Sequence, residues 1–133
     1  MKVLIVDDSQ VLARCLRSSL AAVAGLEIVG HADCVADGIM EIRKAKPDVV
    51  ILDIRLPGGS GVDVLEALKE EQFKPIVIVL SDYSFPQYRR KCLQSGAHFY
   101  FDKSNEFHKV TELKCCDAWR RPLRLEPELV SRG

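Results

Sequence analysis

Short apolar runs punctuate the chain: Val3-Leu4-Ile5-Val6, Val49-Val50-Ile51-Leu52, Ile76-Val77-Ile78-Val79-Leu80 and Phe99-Tyr100-Phe101. Where they end stand Asp7-Asp8, Asp53, Ser81 and Lys103. Unbroken aliphatic runs of this length read as parallel strands buried on both faces. Between them, apolar residues recur at threes and fours. Ser9 can cap a helix with the stripe Leu12, Leu16, Leu20, flanked by Val11, Cys15 and Val23, and Gly25 closes it. Leu26 to Ala32 reads as another strand, and Val35 to Ala45 as a helix that buries Ile39 and Ile42 and stops before Pro47. Pro57-Gly58-Gly59-Ser60-Gly61 is a loop of breakers, followed by a helix from about Val62 to Glu71 that buries Val62, Leu65 and Leu68. After the run that starts beyond Pro75, Ser84 caps a helix with Pro86 in its first turn and Gly96 at its end. A last helix is expected from about Asn105 to Trp119; Pro122 breaks it and leaves 120–133 as a short flexible tail. Strict alternation of strand and helix predicts one α/β domain over residues 1–119, a five-stranded parallel sheet with helices on both faces.

Composition agrees with a single globular domain. The chain has 133 residues, 47% hydrophobic and 29% charged, enough to bury a core without covalent staples. Lysine plus arginine equals aspartate plus glutamate at 19 each, which gives no electrostatic argument for nucleic acid or an anionic membrane as partner. The longest apolar runs are far too short to span a bilayer, and a cytoplasmic protein is expected. Five cysteines without metal-type spacing argue against a disulfide framework or a zinc site. Cys15 and Cys92 fall on apolar helical stripes, where cysteine packs as a small hydrophobe. The doublet Cys115-Cys116 has no assigned role.

The strand-end residues carry the chemistry. Carboxyl ends of parallel strands form the ligand-binding edge of an α/β sheet, so Asp7, Asp8, Asp53, Ser81 and Lys103 are expected to converge there. Carboxylates crowded together repel unless a cation sits among them. Magnesium suits such a cluster because it takes oxygen ligands and bridges to phosphate oxygens; manganese is a possible substitute. Asp53, ending the central run, is the candidate nucleophile toward a phosphoryl group, with Asp7 and Asp8 holding the metal. Ser81 and Lys103 are the donors for phosphoryl oxygens. Each residue also has an ordinary reading: Asp8-Ser9 as a helix cap, Asp53 as a turn residue, Ser81 as a cap, Lys103 as a strand-end lysine, Tyr100 as core.

At these residues the chain resembles the receiver domain of bacterial two-component response regulators. The likeness rests on Val3 to Asp8, Pro47 to Asp53, Leu56 to Gly61, Leu80-Ser81, and Gly96-Ala97 leading to Lys103, in that order. It implies the flavodoxin-like strand order 2-1-3-4-5. It implies that Asp53 accepts a phosphoryl group from a sensor histidine kinase or phosphotransfer domain. The same likeness makes Asp7, Asp8, Asp53 and the backbone carbonyl of Arg55 the magnesium ligands, Ser81 and Lys103 the phosphoryl contacts, and Tyr100 the switching aromatic. The domain is then no enzyme beyond its own phosphorylation and dephosphorylation. It signals through a protein partner or a homodimer on the face near Arg89, Arg90 and Tyr100, without DNA binding. It acts either as a stand-alone receiver or as a piece of a longer regulator.

Two features are particular to this chain. Ser104 follows Lys103 where many receivers carry proline; a cis bond there would cost about 3 kcal/mol. Arg55 and Tyr83 stand two residues beyond Asp53 and Ser81, where the family places residues that flank the phosphoryl. Two other classes fit less well. A flavodoxin-like cofactor domain would carry a glycine-rich loop after its first strand, where Asp7-Asp8 stands. An aspartate-based phosphohydrolase would place its nucleophile near that strand and usually carry a cap domain, for which this sequence offers no segment. His31, His98 and His108 show no ligand or triad spacing and receive no role.

Overall fold

The apolar runs divide their side chains between two cores. In the computed structural model, which describes residues 1–23, 25–82, 86–103 and 109–110, the first run is β1 (Lys2–Val6) and the next long one β3 (Val49–Leu52). Further along come β6 (Ile76–Ser81) and β7 (Phe99–Asp102), while β2 (Glu27–Ala32) lies on the far side of β1. All pair in parallel in the order β2-β1-β3-β6-β7, which is 2-1-3-4-5 when these five alone are counted. Successive side chains alternate between faces. Leu4, Val6, Val50, Leu52, Val77 and Val79 pack on one side with Ile42 and Leu65. Val3, Ile5, Val49, Ile51, Ile78 and Leu80 pack on the other with Leu16, Leu20 and Val110. Both faces are covered, so neither half of the alternation needs a polar residue.

The helices bounded within the described residues are α1 (Gln10–Ala21), α2 (Val35–Ala45), α3 (Gly61–Leu68) and α4 (Pro86–Gln94). Ser9 caps α1 as expected, its hydroxyl accepting from the Leu12 amide at 3.1 Å. The α2 bounds agree with the sequence reading, and Lys46 ends that helix in the left-handed region (φ 47°). Gly38 lets α2 approach β1, since a Cβ there would stand 2.9 Å from Val6.

Three expectations need correction. The buried line of α1 is Ala13, Leu16 and Leu20, whereas Val11 is 70% exposed and Cys15 is exposed. Small Ala13 occupies the centre of the stripe, which rotates Val11 and Cys15 out of the core. The third helix starts at Gly61 and ends at Leu68, short of Glu71. Its chain tightens there into bonds to the third residue back, and the Lys74 ammonium caps the carbonyls of Leu68 and Lys69 at 3.1 and 2.8 Å. Its buried line includes Val64, while Val62 is partly buried. Finally, the breaker loop holds a small antiparallel pair, β4 (Arg55–Leu56) with β5 (Gly59–Ser60). Ser84, Tyr83, Ser104, Cys115-Cys116 and most of the expected last helix, with the tail, lie outside the described residues.

Candidate functional site

Register brings the acids together. Val6 pairs with Leu52, so the next row of the sheet carries Asp7 beside Asp53, and the Asp53 amide donates to the Val6 carbonyl at 2.9 Å. Both aspartates are buried, at 2% and 4% exposure. Asp8 begins the turn into α1 and is exposed. Carboxylate oxygens of Asp7, Asp8 and Asp53 all lie within 4.8 Å of one another. These are hard oxygen donors at the spacing a divalent cation needs, so the residues present fit magnesium or manganese.

Lys103 closes the cluster from β7. Its amide donates to the Ser81 carbonyl at 2.9 Å, which aims the side chain inward. The ammonium bonds Asp7 Oδ2 at 2.9 Å and Asp53 Oδ2 at 3.0 Å, with the side chain only 13% exposed. Burial works against this ammonium, but its bonds to Asp7 and Asp53 outweigh it and raise its pKa above the ordinary lysine value. At Asp53 burial wins: it lifts the carboxyl above its ordinary value, although the Lys103 bond and charge oppose it. Asp53 is thus a desolvated carboxylate held ready by one ammonium and by the Arg55 amide, which donates to Oδ1 at 3.3 Å.

Ser81 is fully buried at the end of β6 and borders the same open cleft of about 860 Å³ as Asp53 and Lys103. Tyr100 is buried on β7; burial pushes its hydroxyl pKa up, against a side-chain hydrogen bond with Ser81. The Arg89 guanidinium lies 5.6 Å above the Tyr100 ring and donates to the Tyr100 carbonyl at 3.0 Å. The loop after β3 is shaped by Gly61. A Cβ there would collide with the Asp53 carbonyl oxygen, and its amide donates to Ile54 at 2.6 Å.

The structure therefore brings together Asp7, Asp8, Asp53, Ser81 and Lys103, with Arg55 exposed at the rim and Tyr100 behind Ser81. Sequence reasoning missed two histidines. His31 Nε2 lies 2.6 Å from the Asp7 carbonyl oxygen, and His98 Nδ1 accepts the Val77 amide at 3.0 Å. No spacing rule in the sequence marks either contact.

A five-stranded 2-1-3-4-5 sheet with acids and a lysine at its carboxyl edge defines a class, and the comparisons agree. The chain belongs to the response regulator receiver domain family, which matches residues 3–113. It is 34% identical over 112 residues to the response regulator GacA of Pseudomonas aeruginosa, covering 84% of this chain and 52% of that protein. It is 33% identical over 103 residues to the DNA-binding transcriptional activator DevR/DosR of Mycobacterium tuberculosis, covering 77% and 48%. Among solved structures, the signal receiver domain of a NarL response regulator from Mycobacterium tuberculosis superposes with TM-score 0.81 at 25% identity, covering 90% of this chain and 95% of that one. The chain spans about half the length of the curated relatives it matches. No helix among the described residues is long and apolar enough to cross a membrane.

Proposed function

We propose that Asp53 is the phosphoacceptor of a two-component phosphorelay, taking its phosphoryl group from a sensor histidine kinase or a phosphotransfer domain. The observation that carries this is the buried Asp53 carboxylate, 3.0 Å from the Lys103 ammonium and grouped with Asp7 and Asp8. In the transfer, an Asp53 oxygen forms a bond to phosphorus. The bond from phosphorus to the donor's imidazole nitrogen breaks, and its electron pair leaves with the imidazole. Lys103 then exchanges a carboxylate partner for a phosphoryl oxygen, and the Ser81 hydroxyl donates to another. Asp7, Asp8, Asp53 and the Arg55 carbonyl would hold the magnesium, which offsets the charge of the acids and of the incoming phosphoryl group. Beyond handling its own phosphoryl group the domain performs no catalysis.

The new dianion draws Ser81 and Lys103 toward itself, and the hydrogen bond between Ser81 and Tyr100 carries that shift outward. The signalling surface is then the face of α4 and β7 near Arg89, Arg90 and Tyr100, which meets a downstream protein or a second copy. Exposed Arg14 and Arg17 on α1 favour that helix as the kinase-docking side. The receiver works in the cytoplasm and itself reads no DNA. The DNA-binding relatives are about twice the length of the span they share with this chain.

The test is phosphorylation with a small phosphoryl donor and magnesium, read by intact mass. One hydroxylamine-sensitive phosphate is expected, absent in Asp53→Asn and reduced at least about tenfold in Asp8→Asn through the weakened metal site. Full labelling of Asp53→Asn would overturn the assignment. With magnesium and beryllofluoride, amide shifts are expected to extend to Arg89, Arg90 and Tyr100; shifts confined to the Asp53 loop would overturn the output face.

A further inference from the structure

The strand β2 does not run in simple register with β1. Val3 pairs with Ile28, but Leu4 pairs with Gly30, so one residue is taken up in a bulge. A one-residue offset moves every later side chain to the opposite face. Paired residues of adjacent strands share a face, and Ile5 pairs with His31. Ile5 belongs to the core under α1, so the bulge puts His31 on the α1 side, at the strand end where the turn to α1 begins. Without it Gly30 would stand there, with no side chain to offer.

From that position His31 reaches the Asp7 carbonyl oxygen, 2.6 Å from Nε2. A carbonyl only accepts, so Nε2 carries the hydrogen and donates. The contact completes a set of restraints on Asp7. Its amide donates to the Ala32 carbonyl at 2.9 Å, its Oδ1 accepts from the Ser9 amide at 2.7 Å, and its Oδ2 pairs with Lys103 at 2.9 Å. The Ala32 bond fixes the peptide plane before Asp7; the His31 bond fixes the plane after it. That second plane contains the Asp8 nitrogen and so sets the direction in which Asp8 leaves the strand.

We propose that His31 is a positioning residue for the cation site, holding the Asp7–Asp8 peptide so that both carboxylates face one ion. The proposal rests on the reading of Asp7 and Asp8 as metal-holding residues. Partners that orient metal ligands without touching the metal commonly change affinity by 10- to 100-fold when removed.

The experiment is a magnesium titration of the full chain followed by the amide shifts of Asp8 and Ser9. His31→Phe and His31→Val, two apolar replacements suited to a half-buried strand, remove the donor; His31→Gln keeps one at similar reach. Both apolar variants are expected to bind magnesium about tenfold more weakly, and His31→Gln within about threefold of wild type. Melting temperatures in chelator are expected to fall in His31→Phe and His31→Val by the loss of one hydrogen bond, with His31→Gln closer to wild type; weaker magnesium binding at a temperature where all of them are folded is what a purely structural role would not give. Wild-type affinity in the folded apolar variants, or His31→Gln as weak as they are, overturns the proposal. A wild type whose Asp8 and Ser9 amides ignore magnesium overturns it together with the metal reading. Normal magnesium binding without phosphate on Asp53 overturns the acceptor role alone, because the affinity comparison still decides on His31.

Discussion

His98 fastens the approach to β7 onto β6 twice. Its amide donates to the Val77 carbonyl at 2.9 Å and its Nδ1 accepts the Val77 amide at 3.0 Å. Only a neutral ring can accept there, and burial holds the His98 pKa below the ordinary value of 6.5. The folded chain therefore binds fewer protons than the unfolded one just below that value. This contribution to stability is complete above pH 6.5 and is lost as pH falls from 6.5 through the lower folded value. Urea unfolding at pH 7.5 and 5.0 is expected to show a smaller difference in His98→Asn than in wild type. The substitution itself costs on the order of 1 kcal/mol at pH 7.5, because the replacement amide makes a poorer bond. Asp7, Asp53, Ser81 and Lys103 were legible beforehand, since ends of apolar runs must share one sheet edge. The histidines were not. Each acts through a backbone partner on another strand, and for His31 the contact depends on a bulge that leaves no mark in composition or period.

Elements bounded by caps and breakers were read closely, and those bounded by packing were not. Ser9 and the residue before Pro47 set the ends of α1 and α2, both local devices visible in the sequence. The end of α3 depends on Lys74, several residues downstream, and the burial of α1 depends on an alanine that carries little hydrophobic signal. The small pair β4 and β5 escaped notice because two-residue strands have no period. Yet this segment matters for Asp53. Ser60 and Asp63 form a reciprocal cap at the start of α3, and Gly61 brings that start against the Asp53 backbone. Gly61→Ala is expected to cost about 1–3 kcal/mol, since the obstructing atom is a main-chain oxygen that cannot swing aside. Urea unfolding measures the loss, and a stability equal to wild type would show that the loop after β3 yields freely.

Across the whole molecule, the order of strands distributes the parts of the site unequally. Asp53 follows β3, which is bonded on both sides, whereas Lys103 follows β7, which among the described residues pairs within the sheet only with β6. Opening of a protein is graded, and strands at an edge exchange their amide hydrogens through smaller fluctuations than those at the centre. Native-state hydrogen exchange is therefore expected to leave Ile51 and Leu52 among the slowest amides, with Phe101 and Asp102 exchanging sooner. Equal rates on β3 and β7 would mean that the sheet opens only as one unit. With that gradient, the anvil and the hammer of this site have different lifetimes: Asp53 stays seated while Lys103 can leave and return without the domain unfolding.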